Sequence, residues 1–141
     1  MLLGGLHKLA GITANAFIGH KNDFMIQDCI MVSKKLGINF YFNDKFPINS
    51  LYLMRGTLVL EENLLEKYID IFFESYWQLN LDLSDRKIFE KKLNEIGVDI
   101  NKFFKDIENQ AIKDKLKEIT NEAFTKKIFG APSFIYKDKV Y

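Results

Sequence analysis

Few side chains in this 141-residue sequence have the types and spacing that catalysis or metal binding requires. Cys29 is the only cysteine, so an intrachain disulfide, a CxxC redox pair and a thiolate zinc site are excluded. The two histidines, His7 and His20, are too few and too far apart to predict a metal site, and no HExxH motif occurs. The sequence also lacks a phosphate-binding GK[ST] loop and any defensible Ser-His-Asp arrangement.

The composition is that of an ordinary globular domain, with 48% hydrophobic and 28% charged residues. The net charge is only +1, with lysines and glutamates interspersed, which argues against nucleic acid or an anionic membrane as a partner. The longest uncharged stretch, residues 9–18, is too short and too polar to span a bilayer. A single thiol and the lack of a visible targeting segment favour a cytoplasmic location.

Apolar residues at helical spacing predict six helices along the middle of the chain. They cover about residues 22–36, 51–60, 63–79, 85–96, 99–107 and 112–123. Ser84 and Asp85 are candidate N-caps of one helix, and Asp99 or Asn101 is expected to begin the next. Gly37 and Gly97 are expected to end helices. Cys29 falls on an apolar stripe, which favours a buried structural thiol over a reactive one.

The two ends of the chain show a different pattern. The first twenty residues are apolar and interrupted by glycine, which predicts a strand that runs into a loop. Residues 38–46 are predicted to be an extended connector that stops at Pro47. After Gly130, Ala131 and Pro132, residues 133–136 and 140–141 predict a two-stranded hairpin. A lone hairpin is marginally stable, so this one needs either a strand partner at residues 2–3 or a larger protein around it.

Three motifs in order along nearly the whole chain resemble the 2-hydroxychromene-2-carboxylate isomerase and kappa-class glutathione transferase family. Residues 2–8, LLGGLHK, resemble the segment after that family's second strand. Residues 46–51, FPINSL, with LMRG at 53–56, resemble the start of its inserted helical domain. Residues 122–134, which include FGAPSF, resemble its closing signature before the third strand.

The resemblance implies an α/β, mostly helical fold: a partial thioredoxin-like fold with a helical insertion domain, as in DsbA-type proteins. Residues 1–19 would be the end of the second thioredoxin strand and the active-site loop. Residues 20–110 would be the helical insertion, and residues 111–141 the last helix with the third and fourth strands. Relative to the family, the chain would be truncated at both ends.

Pro132 would by this resemblance be the cis-proline of the thioredoxin fold, so the Ala131–Pro132 bond is predicted to be cis. The backbone N–H and C=O of Ala131 would then meet the cysteinyl backbone of glutathione, held like an added strand. Ala131 and Pro132 are therefore the predicted glutathione-binding residues, and glutathione is the implied cofactor.

The sequence also departs from the family's pattern. The family's nucleophile-stabilising serine would lie upstream, so no catalytic residue is assigned here, and the chain alone is expected to have little or no isomerase activity. A Gly-x-Asp-Arg-like segment that contacts the glutathione glutamyl group is also missing. The loop at residues 10–15 lacks the usual proline and offers only Asn15 in its place.

The chemistry implied by the family is reversible addition of the glutathione thiolate to an aromatic-derived carboxylate substrate. It requires a thiol of lowered pKa and donors that stabilise an anionic intermediate. Lys8, Asn15 and Asn49 are the substrate-binding candidates, although Lys8 is equally typical of a solvated lysine and Asn49 of a helix cap. Arg55 is more typical of an ion-pair partner inside the helical domain.

Two other functions remain open from the sequence. One is a DsbA-like disulfide oxidoreductase fragment, which would need a CxxC upstream. The other is a non-enzymatic helical interaction domain that binds a partner through the hairpin edge, or itself as a possible homodimer. The expected partner is a small-molecule substrate, with no nucleic acid and no membrane.

Overall fold

The computed structural model describes all 141 residues and consists of seven α-helices and one short hairpin. In chain order the helices and strands are α1 (Leu3–Ala10), a 3-10 helix (Asn15–Phe17), α2 (Gly19–Leu36), α3 (Leu51–Gly56), α4 (Glu62–Trp77), α5 (Arg86–Glu95), α6 (Ile100–Ile107), α7 (Gln110–Thr125), β1 (Ile135–Tyr136) and β2 (Lys139–Val140). No helix combines the length and the hydropathy that crossing a bilayer requires.

The predicted strand at the start of the chain is wrong, because these residues form α1 and pack along α7. Leu6 is fully buried. Gly5 permits a close approach, since a Cβ there would lie 3.3 Å from the Cγ2 of Thr120. The Leu2 N–H also donates to the Thr120 hydroxyl over 2.9 Å. Two adjacent glycines disfavour a helix in isolation, and packing against α7 outweighs that propensity.

The main core is aromatic and joins α4, α5 and α6. Its members on α4 are Tyr68, Phe72 and Tyr76, whereas Ile69 on the same helix is 41% exposed. Phe72 stacks on Phe89 with the ring centroids 4.6 Å apart. The remaining members of the buried cluster are Leu83, Leu93, Val98, Phe103 and Ile107. The aromatic side chains that α4 contributes to this cluster are therefore part of the core.

The predicted helix boundaries are confirmed where a local cap defines them. The Asp85 and Asp99 carboxylates accept the N–H groups of Lys87 and Lys102 at the starts of α5 and α6. Gly37 ends α2 with φ 66°. The predicted helix over residues 51–60 is shorter than expected, because α3 ends at Gly56 and continues as tight turns.

α2 lies outside the core and packs only against the short 3-10 helix. Phe24, Met31 and Leu36 on α2 are each more than 60% exposed. The predicted burial of Cys29 is wrong, because its side chain is partly exposed. The division of the chain into three parts, with boundaries after residues 19 and 110, remains a prediction.

Candidate functional site

The segment between α7 and the hairpin holds both predicted glutathione-binding residues. The Ala131–Pro132 peptide bond is cis, as predicted, and so is the Phe46–Pro47 bond, which was not predicted. Ala131 and Pro132 are exposed. The N–H and C=O of Ala131 form no hydrogen bond within the chain. These two groups are therefore free to pair with an extended ligand.

Neighbouring hydrogen bonds hold this segment in place. The Ser133 hydroxyl donates to the Gly130 carbonyl over 2.8 Å, which closes the turn around Ala131 and Pro132. Phe134 and Tyr141 exchange two backbone hydrogen bonds of 2.9 and 2.8 Å at the base of the hairpin. The unpaired Ala131 groups thus lie between a closed turn and a short antiparallel ladder.

A large apolar cavity lies between α3, α4 and the connector before α3. Its volume is about 310 Å³, and 11 of its 14 lining residues are hydrophobic. The aromatic part of the wall comes from Phe46, Tyr68, Phe72, Phe73, Tyr76 and Trp77. A cavity of this size and lining suits a small aromatic molecule. We refer to it as the apolar cavity.

A second cavity, of about 340 Å³, lies between α1, α3 and α7. Four cationic side chains line it: Lys8, Arg55, Lys113 and Lys117. None of its lining residues is acidic, and Asn121 and Thr120 supply further polar atoms. We refer to it as the cationic cavity.

α3 separates the two cavities because its side chains alternate between them with helical periodicity. Ser50, Leu53, Met54 and Thr57 line the apolar cavity, whereas Leu51 and Arg55 line the cationic cavity.

The predicted substrate-binding residues are only partly brought together. Lys8 is exposed on α1 and lines the cationic cavity. Asn49 accepts the Leu51 N–H over 3.1 Å, the capping role that the sequence also allowed. Asn15 begins the exposed 3-10 helix and lines neither cavity. The substrate roles of all three residues remain predictions.

An ion-pair network supports one wall of the cationic cavity. The Glu108 carboxylate accepts from Arg55 over 3.0 Å and from Lys113 over 2.7 Å. The ion-pair role predicted for Arg55 is therefore confirmed. The hydrogen bond from Lys113, with the nearby charges of Lys113 and Arg55, holds the pKa of Glu108 below its ordinary value. Lys8 and Lys117 form no ion pair.

Lys113 and Lys117 were missed at the level of sequence because α7 has a charged outer face that predicts solvent exposure. The four-residue spacing of Lys113 and Lys117 was the feature of the sequence that could have identified them. Like charges four residues apart disfavour a helix, although Asp114 lies three residues before Lys117 and offsets part of that repulsion. No group of three or more His, Cys, Asp or Glu side chains is placed to hold a metal ion.

Comparison with known proteins gives two findings. The model of the family described as DSBA-like thioredoxin domain matches residues 2–141. A solved structure of 2-hydroxychromene-2-carboxylate isomerase has a similar fold, with a TM-score of 0.84 and 17% sequence identity. That likeness covers 100% of this chain and 70% of the other chain. No curated protein sequence matches.

Both findings confirm the fold class that the three motifs predicted, a mostly helical fold of the DsbA-like thioredoxin type. The local error at α1 does not alter that assignment, because α1 is a single short helix at the edge of the matched region.

Proposed function

This chain belongs to the DSBA-like thioredoxin domain family, and on that premise we propose that it is a glutathione-dependent isomerase or transferase. Its substrate is an aromatic-derived carboxylate, which reacts by reversible thiolate addition. The similar fold of 2-hydroxychromene-2-carboxylate isomerase supports the proposal at the level of fold.

The observation that carries the proposal is the pair of unpaired backbone groups at Ala131. Glutathione is a short peptide-like molecule whose cysteinyl unit presents one N–H and one C=O. An exposed residue with a free N–H and a free C=O can bind that unit as an added strand. The residues present therefore fit the cofactor that the family resemblance implies.

The two cavities support the choice of substrate class. The apolar cavity has room for an aromatic ring, and Lys8 in the cationic cavity could attract a carboxylate. When bound, glutathione supplies a thiolate that adds reversibly to an electron-poor carbon. In this proposal Ala131 and Pro132 orient the cofactor, and Lys8 holds the substrate and its developing negative charge. Asn15 and Asn49 line neither cavity, so the structure gives no support for their predicted substrate roles.

No residue of the chain is assigned the role of stabilising the thiolate. We therefore propose that the 141-residue chain binds glutathione and has little or no turnover by itself. The possible homodimer and the cytoplasmic location remain predictions. Sedimentation velocity would show whether the chain is a monomer or a homodimer.

The test is selective labelling of alanine with ¹⁵N, which gives six backbone amide signals because the chain contains six alanines. We expect glutathione to shift the Ala131 signal saturably. Ala111 and Ala123 lie within α7 and serve as internal controls that should not move. S-methylglutathione, which keeps the backbone and blocks the thiol, should shift Ala131 in the same way.

Two results would contradict the proposal. An unchanged Ala131 signal at millimolar glutathione would remove the proposed cofactor site. Equal shifts at Ala131, Ala111 and Ala123 would indicate a general effect of the added peptide. Measurable glutathione-dependent turnover by the 141-residue chain would overturn the separate proposal that it is inactive alone.

A further inference from the structure

We propose that the cationic cavity is an anion-binding site for a small molecule with two or more negative charges, such as a phosphate ester or a polycarboxylate. The site rests on the proposed function in one respect, because Lys8 is also proposed to attract the substrate carboxylate, but it involves neither Ala131 nor glutathione. Its residues come from three helices, α1, α3 and α7, that are far apart in sequence.

The first argument is the local charge. Lys8, Arg55, Lys113 and Lys117 line the cavity, and Glu108 is the one carboxylate that pairs with any of them. Four positive charges and one negative charge leave a local charge of +3, whereas the whole chain carries only +1. The positive charge is therefore concentrated at this cavity and does not reflect a generally basic protein.

The second argument is the largely buried side chain of Arg55. The Nε of Arg55 is buried and has no hydrogen-bond partner, and the Arg55 side chain is only 12% exposed. One terminal nitrogen, Nη1, already donates to Glu108. A buried N–H without an acceptor is unfavourable, and the guanidinium fork is suited to an oxyanion. The Nε atom itself has almost no accessible surface, so Arg55 would act on an anion in the cavity through its charge.

The third argument is the spacing of lysines on α7. Lys113 and Lys117 lie one turn apart on the face that lines the cavity, beside the buried residues Leu116 and Thr120. Lys113 is paired with Glu108, and Lys117 has no acidic partner. Two like charges at this spacing repel one another, and an anion held between them removes that repulsion.

The size of the cavity limits the ligand to a small molecule. A volume of about 340 Å³ lies at the lower end of the range for small-molecule pockets. Apolar atoms of Leu2, Leu9, Leu51 and Leu116 also line it, so a ligand with a short carbon skeleton fits better than a free inorganic ion.

The test is isothermal titration of the 141-residue chain with two probes, inorganic pyrophosphate and citrate, at low ionic strength. We expect saturable binding of at least one probe with one site per chain, and weaker binding at higher salt. Tight binding of pyrophosphate alone would assign the site to phosphate esters, and tight binding of citrate alone would assign it to polycarboxylates. Each result supports the proposal.

The matched variants are Lys117→Gln and Lys115→Gln, which remove the same charge from the same helix. Lys115 pairs with Glu118 over 3.0 Å and does not line the cavity. We expect Lys117→Gln to weaken binding on the order of tenfold and Lys115→Gln to have little effect. Thermal melts of each variant show whether the fold is kept.

Two outcomes would overturn the site. The first is the lack of saturable binding for both probes. The second is that Lys117→Gln and Lys115→Gln weaken probe binding equally, which would show that binding depends only on general surface charge. Adding saturating glutathione should leave the affinity of the chain for pyrophosphate or citrate unchanged. The anion site is therefore tested separately from the proposed glutathione site.

Discussion

Gly56, the last residue of α3, packs directly against the hydroxyl end of the Tyr68 side chain on α4. A Cβ on Gly56 would overlap the Tyr68 hydroxyl and would also crowd the ring of Phe103. The Tyr68 hydroxyl donates to the Leu53 carbonyl over 3.1 Å, and burial raises the pKa of Tyr68. Because Tyr68 also lines the apolar cavity, this contact connects the core to the candidate site.

We predict that Gly56→Ala destabilises the fold by about 1–3 kcal/mol, because the added methyl must displace a buried ring. Gly4→Ala is the control, since a Cβ at Gly4 in α1 meets nothing within 4 Å. That change should stabilise the chain slightly, by up to about 1 kcal/mol, because alanine favours a helix more than glycine does. Urea unfolding measures both variants.

The cause of the destabilisation by Gly56→Ala is tested in a Tyr68→Phe background, which lacks the hydroxyl oxygen that the added methyl group would overlap. The cost of Gly56→Ala should then be smaller, with a coupling energy of at least about 0.5 kcal/mol. An equal cost in both backgrounds would show that the Tyr68 hydroxyl does not cause the destabilisation.

Asn43 fixes the connector before α3 to the end of α4, and we predict that Asn43→Ala is strongly destabilising. Its side chain is 2% exposed and donates to the carbonyls of Tyr76 and Leu81 over 2.8 and 3.0 Å. Its oxygen accepts the Lys45 N–H over 2.8 Å. Loss of three hydrogen bonds, with buried carbonyls left unpaired, should cost roughly 2–4 kcal/mol.

Two further variants, Asn43→Asp and Asn63→Ala, test whether the hydrogen bonds of Asn43 cause this destabilisation. The first places a carboxylate oxygen against two carbonyls and should be at least as destabilising as Asn43→Ala. Asn63 is exposed in α4 and forms no side-chain hydrogen bond, so Asn63→Ala should change stability by less than about 0.5 kcal/mol. Similar melting temperatures for all three variants would refute the role assigned to Asn43.

The apolar cavity contains its own reporter, because Trp77 is the only tryptophan and lines its wall. We predict that a small aromatic carboxylate such as 1-naphthoate changes the Trp77 emission saturably. Met54→Phe narrows the cavity and should weaken this binding on the order of tenfold. Met31→Phe makes the same change on the exposed face of α2 and should have no effect. An equal response in both variants would place the probe elsewhere.

Glu108 gives a prediction about pH. Its pKa is lowered mainly by the hydrogen bond from Lys113, so the folded state favours the ionised carboxylate. This contribution to stability is present above the ordinary pKa of 4.5 and is lost as the pH falls through the lower folded value. Lys113→Gln should raise the Glu108 pKa in a carboxyl NMR titration, and Lys115→Gln should leave it unchanged. No rise in Lys113→Gln would contradict the assigned cause.

Local signals in the sequence predicted the parts of the fold that short-range interactions control. The carboxylates of Asp85 and Asp99 cap helices within three residues of their own positions. The apolar period of α7 and the breaking residues before Pro132 are likewise local. The three motifs then supported the family, and the family model confirms it.

Local signals failed where a distant contact decides the structure. The glycines of α1 predict no helix by themselves, and the contact of Gly5 with Thr120 joins residues more than a hundred positions apart. The partial exposure of Cys29 follows from the lack of a core partner for α2, which the apolar stripe of that helix could not reveal.

The sequence by itself therefore determined the order of α2 to α7, the N-caps of α5 and α6, the family and the two residues, Ala131 and Pro132, proposed to bind glutathione. Only the tertiary structure placed Lys8, Arg55, Lys113 and Lys117 around one cavity and aligned the aromatic side chains of α4 around another. The physical reason is that caps and helical periods depend on neighbours within a few residues. A cavity forms only when helices from distant parts of the chain pack together.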